Sequence, residues 1–80
     1  MAARFGANLV RARKQSGLTQ EDVSWRAELH RTEISQLERG LRTPRIDTLV
    51  KLAASLDVHP GVLLVGIVWL PGTFQRGTFV

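Results

Sequence analysis

Thr19-Gln20-Glu21-Asp22-Val23-Ser24-Trp25-Arg26-Ala27-Glu28-Leu29-His30-Arg31-Thr32-Glu33-Ile34-Ser35-Gln36-Leu37-Glu38-Arg39 is the stretch whose reading decides the fold. Thr19 with Asp22 three residues on forms a capping-box arrangement, and Glu21 and Asp22 suit the positive end of a helix dipole. A helix is therefore expected from Gln20 to about Ala27, with Val23 and Ala27 facing inward. After a break around Glu28 and Leu29, a further helix spans roughly Arg31 to Arg39. Its inward positions are Ile34 and Leu37, with Leu29 packing just ahead, and Gly40 ends it. Its other face carries Arg31, Thr32, Ser35, Gln36 and Arg39, all polar. Two short adjacent helices joined by a tight turn form the helix-turn-helix pattern.

Working outward, Phe5, Leu9 and Ala12 make one apolar stripe on a first helix from Arg4 to Gln15, which Gly17 stops. Pro44 lies in a connecting loop, and a fourth helix begins near Ile46 with Leu49, Leu52, Ala53 and Leu56 as its core stripe. Pro60 opens a short fifth helix, where a missing N–H is harmless, and that helix ends near Val65 or Gly66. Residues 1–66 thus read as an all-α domain of five short helices. From Ile67 the character changes. Ile67-Val68-Trp69-Leu70, Thr73-Phe74 and Thr78-Phe79 favour strands, and Pro71-Gly72 is a strong turn signal. Residues 67–80 are expected to form a hairpin or two short strands, apolar on both faces and so covered from both sides.

Eighty residues make one modest core, and 44% hydrophobic with 22% charged residues is an ordinary globular composition. The formal charge is +4, carried by eleven cations that are mostly arginine. Such a balance fits nucleic acid or an acidic membrane surface, and arginine suits bidentate contacts with phosphate and guanine. The absence of cysteine excludes disulfides and thiolate metal sites. Met1-Ala2-Ala3-Arg4 lacks the apolar run of a secretory signal, and the longest apolar stretch, Val62 to Leu70, falls short of the roughly 20 residues that a bilayer requires. The expected location is the cytoplasm, at the nucleoid.

The string Leu18-Thr19-Gln20-Glu21-Asp22-Val23, followed by Ile34-Ser35-Gln36-Leu37-Glu38-Arg39-Gly40 and then Pro44, resembles the phage repressor and Cro family of DNA-binding domains. The resemblance covers about Phe5 to Gly66. It implies that the helix from Arg31 lies in the major groove of double-stranded DNA. Arg31, Thr32 and Gln36 match the base-reading positions, with Ser35 on the same face. Arginine pairs with guanine O6 and N7, glutamine with adenine N6 and N7, and a threonine methyl meets the thymine methyl. Gln20 matches a phosphate-binding position at a helix N-terminus, where backbone N–H groups favour an anion. Arg39, Arg42 and Arg45 flank the recognition helix and are expected on the DNA backbone, Arg45 also at a position that enters a narrow minor groove. Arg13 and Glu38 occupy positions that pair in the family, tying the first helix to the recognition helix as a structural element.

The sequence departs from that family at three places. Glu28 stands where the turn usually holds glycine; a positive φ there is strained, so a different turn conformation is expected. His30 replaces the usual serine cap of the recognition helix, with Glu33 placed to supply the returning half of a capping box and to read cytosine only as a second role. His30 is also a candidate phosphate ligand. Trp25 lies on a part of the second helix that the family leaves exposed; it is expected to pack beneath the C-terminal tail of its own or a partner chain, or else in the core after a helix rotation.

Enzyme chemistry lacks an inventory: His30 and His59 are the only histidines, with no carboxylate pair, thiol, phosphate loop or zinc spacing beside them. No cofactor is implied. The expected function is a sequence-specific transcriptional regulator, a homodimer on a palindromic operator, dimerising through the fifth helix and tail residues Ile67, Trp69, Leu70, Phe74 and Phe79. Repression by occlusion is the default mode. The rival is a protein-interaction module, such as an antitoxin, whose tail captures a protein partner while DNA binding is secondary.

Overall fold

Apolar residues at helical spacing, punctuated by caps and glycines, give five helices and a terminal hairpin. The computed structural model describes residues 1–80 as α1 (Ala2–Gln15), α2 (Gln20–Ala27), α3 (Arg31–Glu38), α4 (Ile46–Ser55), α5 (Pro60–Leu63), β1 (Trp69–Leu70) and β2 (Thr78–Phe79). The first helix begins at Ala2, two residues before its expected start, because the Phe5 N–H already reaches the Met1 carbonyl at 2.9 Å. The fifth is shorter than expected and ends at Leu63. Every helix places at least one fully buried side chain in a single core: Phe5 and Leu9 from α1, Val23 from α2, Ile34 and Leu37 from α3, Leu52 from α4 and Leu63 from α5. Each such burial is worth about 1.5–3 kcal/mol. Helix α1 packs against α3 and α5, α2 against α3 and α4, and α4 against α5.

Two helix ends follow the sequence signals. The Thr19 hydroxyl accepts the Asp22 N–H at 3.0 Å, and the Asp22 carboxylate accepts the Thr19 N–H at 2.9 Å, completing the capping box. These hydrogen bonds hold the Asp22 carboxyl below its ordinary value. Gly40 ends α3 with φ +71°, while the Leu41 N–H closes back on the Gln36 carbonyl at 3.0 Å.

The turn after α2 overturns one expectation. Glu28 does adopt the left-handed conformation (φ 54°, ψ 46°) in which the family has glycine. The strain is offset locally: the N–H groups of Glu28 and Leu29 both reach the Ser24 carbonyl, and the Ser24 hydroxyl donates to the Leu29 carbonyl at 2.7 Å. Asp57, after α4, makes the same left-handed turn with φ 54°.

Residues on opposite flanks of α1 bind the rest of the molecule to it. Gly6 faces the end of α3 so closely that a Cβ there would lie 2.6 Å from the carbonyl oxygens of both Leu37 and Glu38. Asn8, only 4% exposed, donates through Nδ2 to the carbonyls of Leu63 at 3.0 Å and Val65 at 2.8 Å.

The tail forms an antiparallel hairpin with Trp69 opposite Phe79 and Leu70 opposite Thr78. The two aromatic rings meet edge to face at 5.0 Å. The expected cover on both faces is not supplied by this chain. Val68, Trp69, Leu70, Phe79 and Val80 are about half exposed and Phe74 is wholly exposed, because the strands extend beyond the helices instead of folding back over them. Ile67 differs from the rest of the expected dimer set, since it packs on the chain's own core. Trp25 is 79% exposed, beneath neither the tail nor the core, which corrects both readings of it within one chain. No helix is long and apolar enough to cross a membrane.

Gly6 generates a test with a diagnostic sign. Alanine normally favours a helix interior by about 1 kcal/mol over glycine. Gly6→Ala should instead destabilise the protein by about 1–3 kcal/mol in a urea titration, since the added methyl meets backbone that cannot step aside.

Candidate nucleic-acid interface

The exposed face of α3 is built from its N-terminal turn outward. His30 precedes the helix in extended conformation, and its Nδ1 accepts the Thr32 N–H at 3.1 Å. That bond places the proton of the neutral ring on Nε2, which becomes a donor available to an anion. Glu33 supplies no returning half of a capping box: its carboxylate does not accept the His30 N–H, and the imidazole does the capping alone. His30, Arg31, Thr32, Ser35 and Arg39 line one shallow polar depression, with Arg31, Thr32 and Arg39 exposed and Ser35 partly buried. Gln36 is partly buried on the same helix, and its Oε1 accepts from Arg42 Nη1 at 3.2 Å. A base-reading candidate and a phosphate-binding candidate therefore touch, a contact that sequence spacing did not reveal because it crosses the Gly40 turn.

Behind this face lies a polar joint. The Arg13 guanidinium grips the Glu38 carboxylate with two nitrogens, Nε to Oε2 at 2.6 Å and Nη2 to Oε1 at 3.0 Å, and donates its third nitrogen to the Leu18 carbonyl at 2.9 Å. Both side chains are largely buried, 15% and 5% exposed. The hydrogen bond to Glu38 raises the arginine further above its ordinary value, and burial opposes this only in part. Gln20 completes the joint by donating Nε2 to Glu38 Oε1 at 3.0 Å. The residue expected at a phosphate thus also belongs to the structural tie, and one amide hydrogen remains for an anion.

The remaining cations surround α3. Arg31 reaches toward the α2 N-terminus, where it borders a groove with Thr19, Gln20 and Glu21. Arg42 is exposed in the loop after α3. Arg45 stands just before α4 without a capping bond from its side chain and lies 3.5 Å from the Asp47 carboxylate, with 82% of its side chain exposed. Arg31, Arg39, Arg42 and Arg45 are all solvent-facing cations on or shortly after α3, beside its polar face. Sequence reasoning missed Asn8, whose only signal was an amide among the apolar positions Phe5, Leu9 and Ala12 of α1.

The Arg13–Glu38 joint can be tested by comparing one variant with two together. Glu38→Ala leaves a largely buried guanidinium unpaired and should lower stability by about 3 kcal/mol. Arg13→Met combined with Glu38→Leu removes both charges and should cost clearly less in the same denaturant titration.

Comparison with known proteins agrees with this geometry. The family described as helix-turn-helix matches residues 9–63. The HTH-type transcriptional regulator y4dJ of Sinorhizobium fredii is 45% identical over 53 residues, which cover 66% of this chain and 69% of that protein. The control protein C.BamHI of Bacillus amyloliquefaciens is 38% identical over 61 residues, 75% of each chain. Among solved structures, the restriction-modification controller protein C.AhdI of Aeromonas hydrophila superposes with a TM-score of 0.75 at 34% identity, covering 78% of this chain and 94% of that one. The chain belongs to the helix-turn-helix family of DNA-binding transcriptional regulators, of the Cro and phage repressor type.

Proposed function

We propose that this regulator works as a homodimer on a two-fold symmetric operator, with α3 of each subunit reading one half-site. The observation that carries the reading is the exposed polar face of α3, held rigid from behind by the Arg13–Glu38–Gln20 joint. Arg31 reads guanine, Gln36 reads adenine, and Thr32 and Ser35 complete the base-facing surface. Gln20, His30, Arg39, Arg42 and Arg45 take phosphates and set the register of the protein on the duplex. Residues 1–66 form the DNA-binding unit, and the exposed apolar hairpin of residues 67–80 joins α5 in the dimer contact. Trp69, Leu70, Phe74 and Phe79 serve that contact, whereas Ile67 serves the subunit's own core. Two-fold dimers of this motif bind half-sites about one helical turn apart. The likeness to a restriction-modification controller protein favours a promoter of such genes as the target.

Selection of binding sites from a random DNA pool tests the reading directly. A palindromic site with a fixed half-site spacing is expected, and a single asymmetric site would overturn the dimer. On the selected site, Arg31→Ala should cost about 1–3 kcal/mol and relax preference at one base position in each half-site. Arg39→Ala should weaken every sequence alike and make the slope of affinity against salt shallower by about one unit for each phosphate it no longer neutralises. Equal, sequence-independent losses for both variants would contradict the division of roles.

The hairpin yields a separate outcome. Removing residues 69–80 spares Ile67 and the helical core, so thermal stability of the subunit should change little. Sedimentation equilibrium should nevertheless show a shift from dimer toward monomer. An unchanged association constant would exclude the hairpin from the interface.

A further inference from the structure

Helix α1 touches both functional ends of the molecule. On one flank Gly6 and Arg13 fix the recognition helix, through the close approach to Leu37 and Glu38 and through the ion pair. On the other flank Asn8 holds the carbonyls of Leu63 and Val65, which lie at and beyond the last turn of a four-residue helix. A helix that short cannot satisfy its own terminal carbonyls, so its end is fixed from outside. Arg4, one turn before Asn8 on the same side of α1, lies over the Gly66 turn: a Cβ on Gly66 would come within 3.0 Å of Arg4 Nη1. Gly66 has φ +78° and redirects the chain into the hairpin. The exit of the chain from α5 is therefore clamped to the same rigid helix that holds α3.

We propose that Asn8 is the positioning residue that sets operator spacing, by locking the path of α5 and the tail to α1 and so fixing the separation of the two recognition helices. The inference rests on dimerisation through α5 and the tail. The physical demand for such a lock is strict. Adding one base pair between half-sites displaces the second by about 3.4 Å and rotates it by about 34° around the duplex. Discrimination of that step requires a connection between reading helix and dimer contact that does not flex by comparable amounts. A main-chain segment leaving a single helical turn would flex. Two hydrogen bonds from one buried amide, with both acceptors on the departing strand of chain, prevent it.

The test measures binding of the full-length protein to operators carrying the native spacing and spacings one base pair longer and shorter. The unmodified protein should lose about tenfold or more in affinity at either altered spacing, and Asn8→Leu less than about threefold. Affinity of Asn8→Leu for an isolated half-site, and the bases preferred within it, should stay as they are in the unmodified protein. A uniform loss at all spacings, with the discrimination retained, would show that Asn8 merely stabilises the fold and overturn the proposal. If Asn8→Leu does not fold, Asn8→Ala removes the same two hydrogen bonds without adding apolar bulk and should flatten the spacing preference in the same way. Retained discrimination in Asn8→Ala would then overturn it. Failure of the dimer reading is distinct: the unmodified protein would itself show no spacing preference.

Discussion

The Glu38 carboxylate is the point on which the rest of the molecule turns. It stands at the last residue of α3, is bound by Arg13 from α1, and accepts from Gln20 at the first residue of α2. Three helices thus share one nearly buried anion. Such an arrangement contributes little as net stabilisation, because desolvating two charges offsets much of their attraction. Its value lies in geometry. A bidentate guanidinium tolerates few orientations, so the angle between α1 and α3 is set by directional contacts as well as by the packing of Phe5, Leu9, Ile34 and Leu37. The exposed side of α3 therefore presents its arginine, threonine and glutamine from a fixed base, which lowers the entropy lost when DNA is bound.

Most of the helical body was legible because it follows local rules. Periodic apolar residues marked the inward faces of α1 to α4, and Thr19 with Asp22 marked the start of α2. The pairing of Arg13 with Glu38 was legible only through family resemblance, since nothing in a separation of 25 residues announces a contact. What could not be read was of two kinds. Contacts across turns, such as Arg42 with Gln36, depend on how the chain leaves a helix. Backbone conformations that oppose intrinsic preference, such as Glu28, depend on whether neighbouring groups offset the strain, and there Ser24 does so with both its carbonyl and its hydroxyl. The proposed roles of Arg31, Thr32, Gln36 and the flanking arginines rest on resemblance to the family, and local rules alone would not have distinguished them from an ordinary solvated helix face.

The hairpin lies beyond the part of the chain that the family match covers. The family match ends at residue 63, and the controller structure covers 78% of the chain. A two-stranded ribbon is at best marginally stable on its own in water. Here the Trp69–Phe79 ring contact and the tight turn at Gly72 give it shape, while its anchorage is Ile67 on the core. Its large apolar side chains stand close together in sequence and largely open to solvent, a surface that would gain from association.

The left-handed turn at Glu28 also bears on how freely the sequence can drift there. Holding a residue with a Cβ in that conformation costs about 1–2 kcal/mol, whereas a glycine gives up roughly 0.5–1 kcal/mol of additional chain entropy on folding. The first penalty exceeds the second by roughly 0.5–1 kcal/mol. The Ser24 bonds go to main-chain groups and would hold the turn with either residue, so they steady the turn without removing that difference. Glutamate is thus carried there at a small cost to the fold, and a residue without a Cβ would relieve it.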